Sequence, residues 1–218
     1  MDIFSAIDQD DLAGAQAALT ADPAAGRRPH ESGPTPILYA LYQGHTGLAA
    51  ALAEQLDDLD LAEASALGRA DRLAQLLDAG APIDGRTADG FTPLQLAAFF
   101  GAPAAAGLLI DRGADVDAVA DNPMRIQPLH AATAGRHREI TLRLIAAGAQ
   151  LDGRQRHGWT PLTAAADHGD TEVVEALLAA GADATAANDD GRDAAGAAAA
   201  KGHTALAERL TAAAHQHA

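Results

Sequence analysis

The chain has 218 residues, of which 48% are hydrophobic and only 3% aromatic, and its formal net charge is −15. Much of the hydrophobic fraction is alanine, which suits thin layers of small helices better than one thick core. The lack of cysteine excludes disulfides and thiolate metal sites, and the negative charge disfavours binding to the phosphate backbone of nucleic acid.

Related segments of ten residues recur along the chain. In chain order they are TPILYALYQG at 35–44, TPLQLAAFFG at 92–101, QPLHAATAGR at 127–136 and TPLTAAADHG at 160–169. Pro93, Pro128 and Pro161 mark the register and are 35 and 33 residues apart. Extending this register places Asp60 before Pro93 and Ala194 after Pro161, each at a distance of 33 residues. Such a period indicates stacked structural units.

Each segment predicts the start of a helix pair. Thr160 can cap a helix N-terminus, and Pro161 then takes the first helical position, where its missing N–H costs nothing. Gly169 ends that helix in the left-handed conformation. A second helix over Thr171–Ala180 carries Val and Leu at the spacing of one apolar face. Because a pair of this size cannot bury its own apolar face, neighbouring pairs must stack.

The period of about 33 residues with a T-P-L-H-x-A core resembles the ankyrin repeat, and the resemblance covers almost the whole chain. It implies an all-α solenoid of about seven stacked helix-turn-helix units with short hairpin loops, similar to small bacterial proteins made of ankyrin repeats only. We predict a single domain over residues 1–218, with an N-terminal capping unit at 1–31, internal repeats at 32–189 and a C-terminal capping unit at 190–218. The resemblance also implies structural hydrogen bonds from His130 to a neighbouring unit.

Three places depart from the repeat. The loop before Asp60 is shortened, since Pro36 precedes Asp60 by only 24 residues. The hairpin before Pro128 carries two extra residues in the segment AVADNPMRIQ. Arg136 stands where the other segments have glycine, with Gly135 one place early, and we expect a distorted turn there.

No constellation of residues typical of an enzyme is found. The chain has neither a cysteine nucleophile nor a G-x-S-x-G motif. The acidic segment DVDAVADN at 115–122 lacks the glycine and the terminal glutamate of an EF-hand calcium loop. Only His157 and His168 fall at positions that the repeat leaves free, and two histidines are weak evidence for a metal site. We therefore predict a non-catalytic protein without cofactor or metal.

The location and physical state of the protein follow from the same composition. No apolar run approaches the roughly 20 residues that span a bilayer, and the acidic start MDIFSAIDQDDL lacks the features of a signal peptide. We expect a cytoplasmic monomer that contacts neither a membrane nor nucleic acid. The negative charge either favours a basic protein partner or serves solubility alone.

Aromatic side chains concentrate at positions that the repeat framework does not need, whereas Phe4 and Tyr39 fit packing roles. In the ankyrin repeats that this chain resembles, partners contact a concave face through the hairpin tips and the two residues before the first-helix glycine. We predict partner contacts at the corresponding positions, which are Tyr42, Leu67, Phe91, Phe99, Phe100, Ile126, Trp159 and His168.

The aromatic cluster admits two interpretations, since its rings either recognise a partner protein or pack on adjacent units. Phe99 and Phe100 are adjacent in one helix and must point in different directions, and we expect Phe100 to be the exposed ring. The predicted function is a protein-protein interaction module with a partner of unknown identity. The alternatives are a dedicated inhibitor or immunity-type partner of one enzyme, or a binder of a small molecule or metal.

Overall fold

The computed structural model describes residues 2–56 and 58–216, and within these ranges the chain forms fourteen α-helices, two 3-10 turns and no strand. The predicted all-α solenoid is thus confirmed, while Met1, Asp57 and the last two residues of the predicted domain lie outside the described residues. The 3-10 turns are Pro23–Arg27 and Arg156–Gly158. The helices pair into units 1 to 7: α1 Ile3–Asp8 and α2 Leu12–Ala21; α3 Pro36–Tyr42 and α4 Thr46–Gln55; α5 Leu61–Ala66 and α6 Ala70–Asp78; α7 Pro93–Phe99 and α8 Pro103–Asp111; α9 Pro128–Ala134 and α10 Arg138–Ala146; α11 Pro161–His168 and α12 Thr171–Ala179; α13 Ala194–Ala200 and α14 Thr204–Gln216.

The signals that begin and end the first helix of a unit act as the sequence predicts. In unit 4 the Thr92 hydroxyl accepts from the Gln95 backbone N–H at 3.3 Å, and Gln95 Oε1 accepts from the Thr92 N–H at 2.7 Å. This reciprocal capping box satisfies two donors that the helix leaves unpaired. Gly101 and Gly169 end α7 and α11 with left-handed φ values of 70° and 71°. The helix ends are therefore fixed by local chemistry.

Unit 3 begins one residue away from the position that the register of prolines predicted. Asp60 is the N-terminal cap of α5, so it corresponds to Thr92 and not to Pro93. Helix α5 has six residues where α7 has seven, which accounts for the shift. The buried Glu63 carboxylate accepts from Arg27 Nη1 at 2.7 Å and from the Thr35 hydroxyl at 2.7 Å. These two bonds tie the short unit to the chain before it, where no hairpin is present.

The hairpins before units 4 to 6 are each closed by one backbone hydrogen bond. The N–H of Thr87 donates to the carbonyl of Phe91 at 2.9 Å, and the N–H of Gln155 donates to the carbonyl of Trp159 at 3.1 Å. Between them, Ala120 donates to the carbonyl of Ile126 at 2.9 Å, which confirms the two extra residues in that hairpin. We call residues 120–126 the long hairpin.

The turn after α9 is regular, so the expectation of a distorted turn was wrong. Gly135 keeps a helical conformation with φ −75°, and Arg136 adopts the left-handed φ of 60° that glycine has elsewhere. The backbone thus keeps the path of the repeat, and Arg136 adopts a left-handed conformation that is unfavourable for a residue with a side chain. For an L-residue other than glycine this conformation costs about 1–2 kcal/mol.

The apolar core runs along the stack in two clusters of buried side chains. The N-terminal cluster includes Ile7, Leu38 and Leu52 from units 1 and 2 and reaches Leu96 in unit 4. The second cluster continues from unit 3 to Leu210 in unit 7. Alanine supplies many of its members, which lets neighbouring helices approach closely. None of the described helices is both long enough and apolar enough to cross a membrane.

Polar side chains on the first helices hold neighbouring units together. The buried Gln95 amide donates to the carbonyls of Ala118 and Ile126, both at 2.7 Å. One unit later, His130 occupies the equivalent position, and its Nε2 lies 2.7 Å from the carbonyl of Gly153. The structural role predicted for His130 is confirmed. Because Nδ1 of His130 accepts from the Gln127 N–H at 3.3 Å, the proton of the neutral ring is on Nε2.

We expect Arg136→Gly to raise the free energy of unfolding by about 1 kcal/mol, because glycine adopts the left-handed conformation without the Cβ penalty. Gly148→Ala is the reciprocal control. Gly148 has φ +83°, and an added Cβ would meet nothing within 4 Å, so its expected loss of about 1–2 kcal/mol is a pure backbone effect. Urea denaturation of the three proteins measures both changes. No gain from Arg136→Gly would mean that the arginine side chain makes compensating contacts.

The stability of the protein should fall as the pH is lowered from 7 to 5. Burial lowers the pKa of His130 below its usual value, so the unfolded chain takes up a proton there more readily than the folded chain. The contribution of His130 is complete above the ordinary histidine pKa of about 6.5 and is lost below it. In His130→Gln, which copies Gln95, the melting temperature should fall less between pH 7 and 5.

His157→Asn is the matched control for His130→Gln. His157 is exposed on a hairpin with φ 66°, a conformation that asparagine tolerates. This variant should keep the pH dependence of the wild-type melting temperature. An equal pH dependence of the wild type and His130→Gln would show that other groups dominate the acid sensitivity.

Candidate binding surface

The missing hairpin before unit 3 brings together two hairpins that are not neighbours in the sequence. Helix α4 ends at Gln55 and α5 begins at Leu61, so no hairpin separates the hairpin at residues 30–34 from that at 87–91. The two hairpins touch, because a Cβ added to Gly33 would lie 3.0 Å from the backbone nitrogen of Asp89. On this side of the array, unit 2 therefore meets unit 4 directly.

Tyr42 spans the space that the absent hairpin leaves open. It is the last residue of α3, and its hydroxyl donates to Asp89 Oδ2 at 2.9 Å. Burial raises the pKa of Tyr42, and the charge of Asp89 raises it further, so the hydroxyl stays a proton donor. The Tyr42 ring centroid lies 6.4, 6.2 and 5.3 Å from those of Phe91, Phe99 and Phe100. Four of the predicted contact residues thus form one aromatic cluster.

Phe99 and Phe100 point in different directions, as expected, but the exposed ring is the opposite one. Phe99 is 42% exposed, whereas Phe100 is half-buried and packs against the N-terminal core cluster. The expectation that Phe100 is the exposed ring was wrong. Phe100 is the C-cap residue of α7 and packs on the core that units 1 to 3 share, whereas Phe99 lines the cavity. The two rings meet edge to face at 5.0 Å between centroids.

An apolar cavity of about 220 Å³ opens beside this cluster. Tyr42, Phe91 and Phe99 line it together with Leu96 and Ile126, and Pro34 and Met124 also belong to its lining. Met124 belongs to the long hairpin and is 46% exposed. Sequence reasoning missed Met124, although the two extra residues of this hairpin were the available signal. The cavity therefore forms where both irregular hairpin connections of the array meet.

The other predicted contact residues have different places. Ile126 is only 4% exposed and belongs to the cavity lining, so a partner would reach it inside the cavity, while Met124 of the same hairpin is exposed. Leu67 packs against the N-terminal core cluster. Trp159 is half-buried, and neither Trp159 nor His168 lines the cavity. His168 instead lies in a narrow crevice that it shares with Asp170.

Among the described residues, Asp89 carries the one charge that lines the cavity. Its Oδ2 holds the Tyr42 hydroxyl, while its Oδ1 is buried and accepts no hydrogen bond from the described residues. No arginine, lysine or histidine among the described residues forms an ion pair with it. Sequence reasoning did not single out this residue, because Asp-Gly is an ordinary hairpin sequence.

The described residues offer no alternative centre for metal chemistry. Among residues 2–56 and 58–216, no group of three or more His, Cys, Asp or Glu side chains is placed to hold a metal ion. His157 belongs to the hairpin before unit 6, and His168 ends α11. Neither of them joins a metal-ligand set in the part of the chain that the structure describes.

Comparisons with known proteins agree with the repeat architecture. Residues 120–188 match the family description "Ankyrin repeats (3 copies)", and residues 89–121 match "Ankyrin repeat". A human protein, "Ankyrin repeat and KH domain-containing protein 1", is 37% identical over 94 residues, which cover 43% of this chain. The match spans only 4% of the length of that relative. These findings identify residues 89–188 as ankyrin repeats, and helix pairs of the same kind continue on both sides of them.

Proposed function

We propose that the chain is a non-catalytic protein-protein interaction module whose partner docks on the hairpin side of units 2 to 5, the face predicted to be concave. The docking surface consists of Tyr42, Phe91, Phe99 and Met124, which we call the aromatic patch. Ankyrin repeats are in general protein-interaction modules, which supports the class of function. The exposure of its side chains and the cavity that they line support the position of the patch.

One observation carries the proposal. Among the described residues only three large apolar side chains are exposed, and two of them, Phe99 at 42% and Met124 at 46%, line the same cavity. Exposed apolar side chains that cluster on a soluble protein mark contact sites, whereas single ones are ordinary. Aromatic side chains are enriched among the residues that dominate binding energy, and Met adapts its shape to a partner.

The size of the cavity favours a protein partner over a small molecule. Its volume is about 220 Å³, below the range of about 300–1,000 Å³ that is typical of small-molecule sites. It suits one side chain of a partner whose remaining surface lies on the surrounding hairpins. A dedicated inhibitor or immunity-type role would use the same surface, and it differs only in having one enzyme as its partner.

The remaining predicted contact residues belong to the proposal in different ways. Phe100 and Ile126 support the aromatic patch from below, because they are half-buried and buried, respectively. Trp159 and His168 lie on units 5 to 6, beyond the cavity, where a larger partner would reach them. Leu67 packs on the core. We therefore place the energetic centre of the interface on Phe99 and Met124.

Photocrosslinking tests the location of the docking surface. A photoreactive phenylalanine analogue at position 99 should crosslink to a defined partner in extracts of the native host, whereas the analogue at the exposed Ala179 on α12 should not. Phe99→Ala should weaken capture of the same partner by an affinity loss of about 2 kcal/mol. A single enzyme that is inhibited when captured would identify the inhibitor alternative. Equal crosslinking from both positions would contradict the proposed surface.

Phe99→Ala and Phe100→Ala should separate binding from folding. Removal of the exposed Phe99 ring should change the free energy of unfolding by about 1 kcal/mol or less. Removal of Phe100, which packs on the N-terminal core, should cost at least about 2 kcal/mol, toward the range of buried aromatic truncations. Thermal and urea unfolding of the two variants measure this difference without knowledge of the partner. A loss of several kcal/mol in both variants would show that both rings belong to the core.

A further inference from the structure

Asp89 differs from the charged side chains that form ion pairs between units. Arg112 pairs with Asp78 at 2.8 Å, and Arg143 pairs with Asp111 at 3.0 Å. Each arginine lies one repeat after its aspartate in the sequence. The Asp89 carboxylate, by contrast, forms no ion pair among the described residues, and its buried Oδ1 accepts no hydrogen bond from them. Buried charges in proteins are ordinarily paired, so an unpaired one in an open site is available to a ligand.

The surroundings of Asp89 specify the chemistry that would complement it. The side chains of Tyr42, Phe91 and Phe99 line the apolar cavity together with Asp89, whose carboxylate accepts from the Tyr42 hydroxyl. Aromatic faces attract cations through the negative potential of the ring, and the attraction grows when water is excluded. A cation on a long apolar stem would satisfy both the cavity and the carboxylate.

We propose that the cavity of the aromatic patch receives an arginine side chain of the partner protein, with the guanidinium on the aromatic faces and paired with Asp89. This inference rests on the proposed function, because it specifies what the docking surface binds. Arginine fits better than lysine, since its planar guanidinium stacks on rings and is less strongly hydrated than an ammonium. The formal net charge of −15 attracts a basic partner of this kind at long range.

The dimensions of the site agree with one long side chain. An apolar cavity of about 150 Å³ is large enough to hold benzene, and this one encloses about 220 Å³. Asp89 lines this cavity together with Phe99 and Met124, whose side chains are 42% and 46% exposed. The nearby Arg86 does not neutralise the site, because its Nη1 donates to the carbonyl of Gly90 at 3.1 Å.

Fluorine NMR can test the proposal on the folded protein alone. The chain has only 4 phenylalanines, so 4-fluorophenylalanine labelling gives few resonances, and Phe99→Leu assigns the resonance of Phe99, one of the two phenylalanines of the aromatic patch. The probes are N-acetylargininamide, N-acetyllysinamide and N-acetylnorleucinamide, at concentrations up to about 50 mM and constant ionic strength. Argininamide should shift the Phe99 resonance in a saturable way with a Kd of a few millimolar, the order expected for a ligand of about 15 heavy atoms.

Two charge-neutralising variants provide the matched comparison. Asp89→Asn keeps an acceptor for the Tyr42 hydroxyl but removes the charge, and it should weaken argininamide binding about tenfold, the size of a charge-assisted hydrogen bond. Asp121→Asn removes the same charge from the exposed position on the next hairpin and should leave the affinity unchanged. Lysinamide and norleucinamide should bind the wild type at least about fivefold more weakly than argininamide.

Several results would overturn the assignment of arginine. Equal affinity for lysinamide, or equal weakening by Asp89→Asn and Asp121→Asn, would reduce the effect to general attraction between charges. Saturable binding of norleucinamide with no preference for argininamide would also overturn it, and would leave the apolar docking surface of the proposed function intact. A Phe99 resonance that no probe shifts would contradict the side-chain pocket itself, whereas the photocrosslinking result would still decide the docking surface.

Discussion

The structure depends on the apolar face that each helix pair leaves uncovered. A pair of helices with six to thirteen residues each cannot enclose a core, so every unit is completed by the next one. Substitutions at the interface between units are therefore costly, and its polar side chains are hydrogen-bonded there. Gln95 donates to the carbonyls of Ala118 and Ile126, and His130 bonds the carbonyl of Gly153. Alanine-rich helices can pack this way because the stack requires the helices of neighbouring units to lie close together more than it requires large side chains.

The candidate site arises from the same constraint. A regular hairpin before unit 3 would fill the space between units 2 and 4, and its absence leaves that space to Tyr42, Phe91 and Phe99. The long hairpin adds Met124 from the other side. The surface proposed for binding is thus assembled from two interruptions of the repeat, while the helices beneath it keep their regular packing and hold the rings in place.

The fold was predictable from the sequence because its signals are short-range and repeated. Thr92, Pro93 and Gly101 fix one helix within ten residues, and the same pattern recurs in other units. The site was predictable only in part, since it depends on which hairpins meet across unit 3. Repeat position alone singled out Phe91, Phe99 and Ile126, which line the cavity, yet it reversed the exposure of Phe99 and Phe100 and passed over Met124 and Asp89. The turn at Arg136 was also mispredicted, because packing of the surrounding units holds this residue in a left-handed conformation that its side chain disfavours.

The contact between units 2 and 4 changes how the array should unfold. In a simple solenoid each unit touches only its neighbours, so local openings can spread one unit at a time. Here the Tyr42–Asp89 hydrogen bond and the touching hairpins at Gly33 and Asp89 connect units that unit 3 separates. This contact between units 2 and 4 bridges unit 3 and includes no residue of it. The N-terminal half of the array is therefore held together by a contact between units that are not neighbours, and it should unfold in one cooperative step.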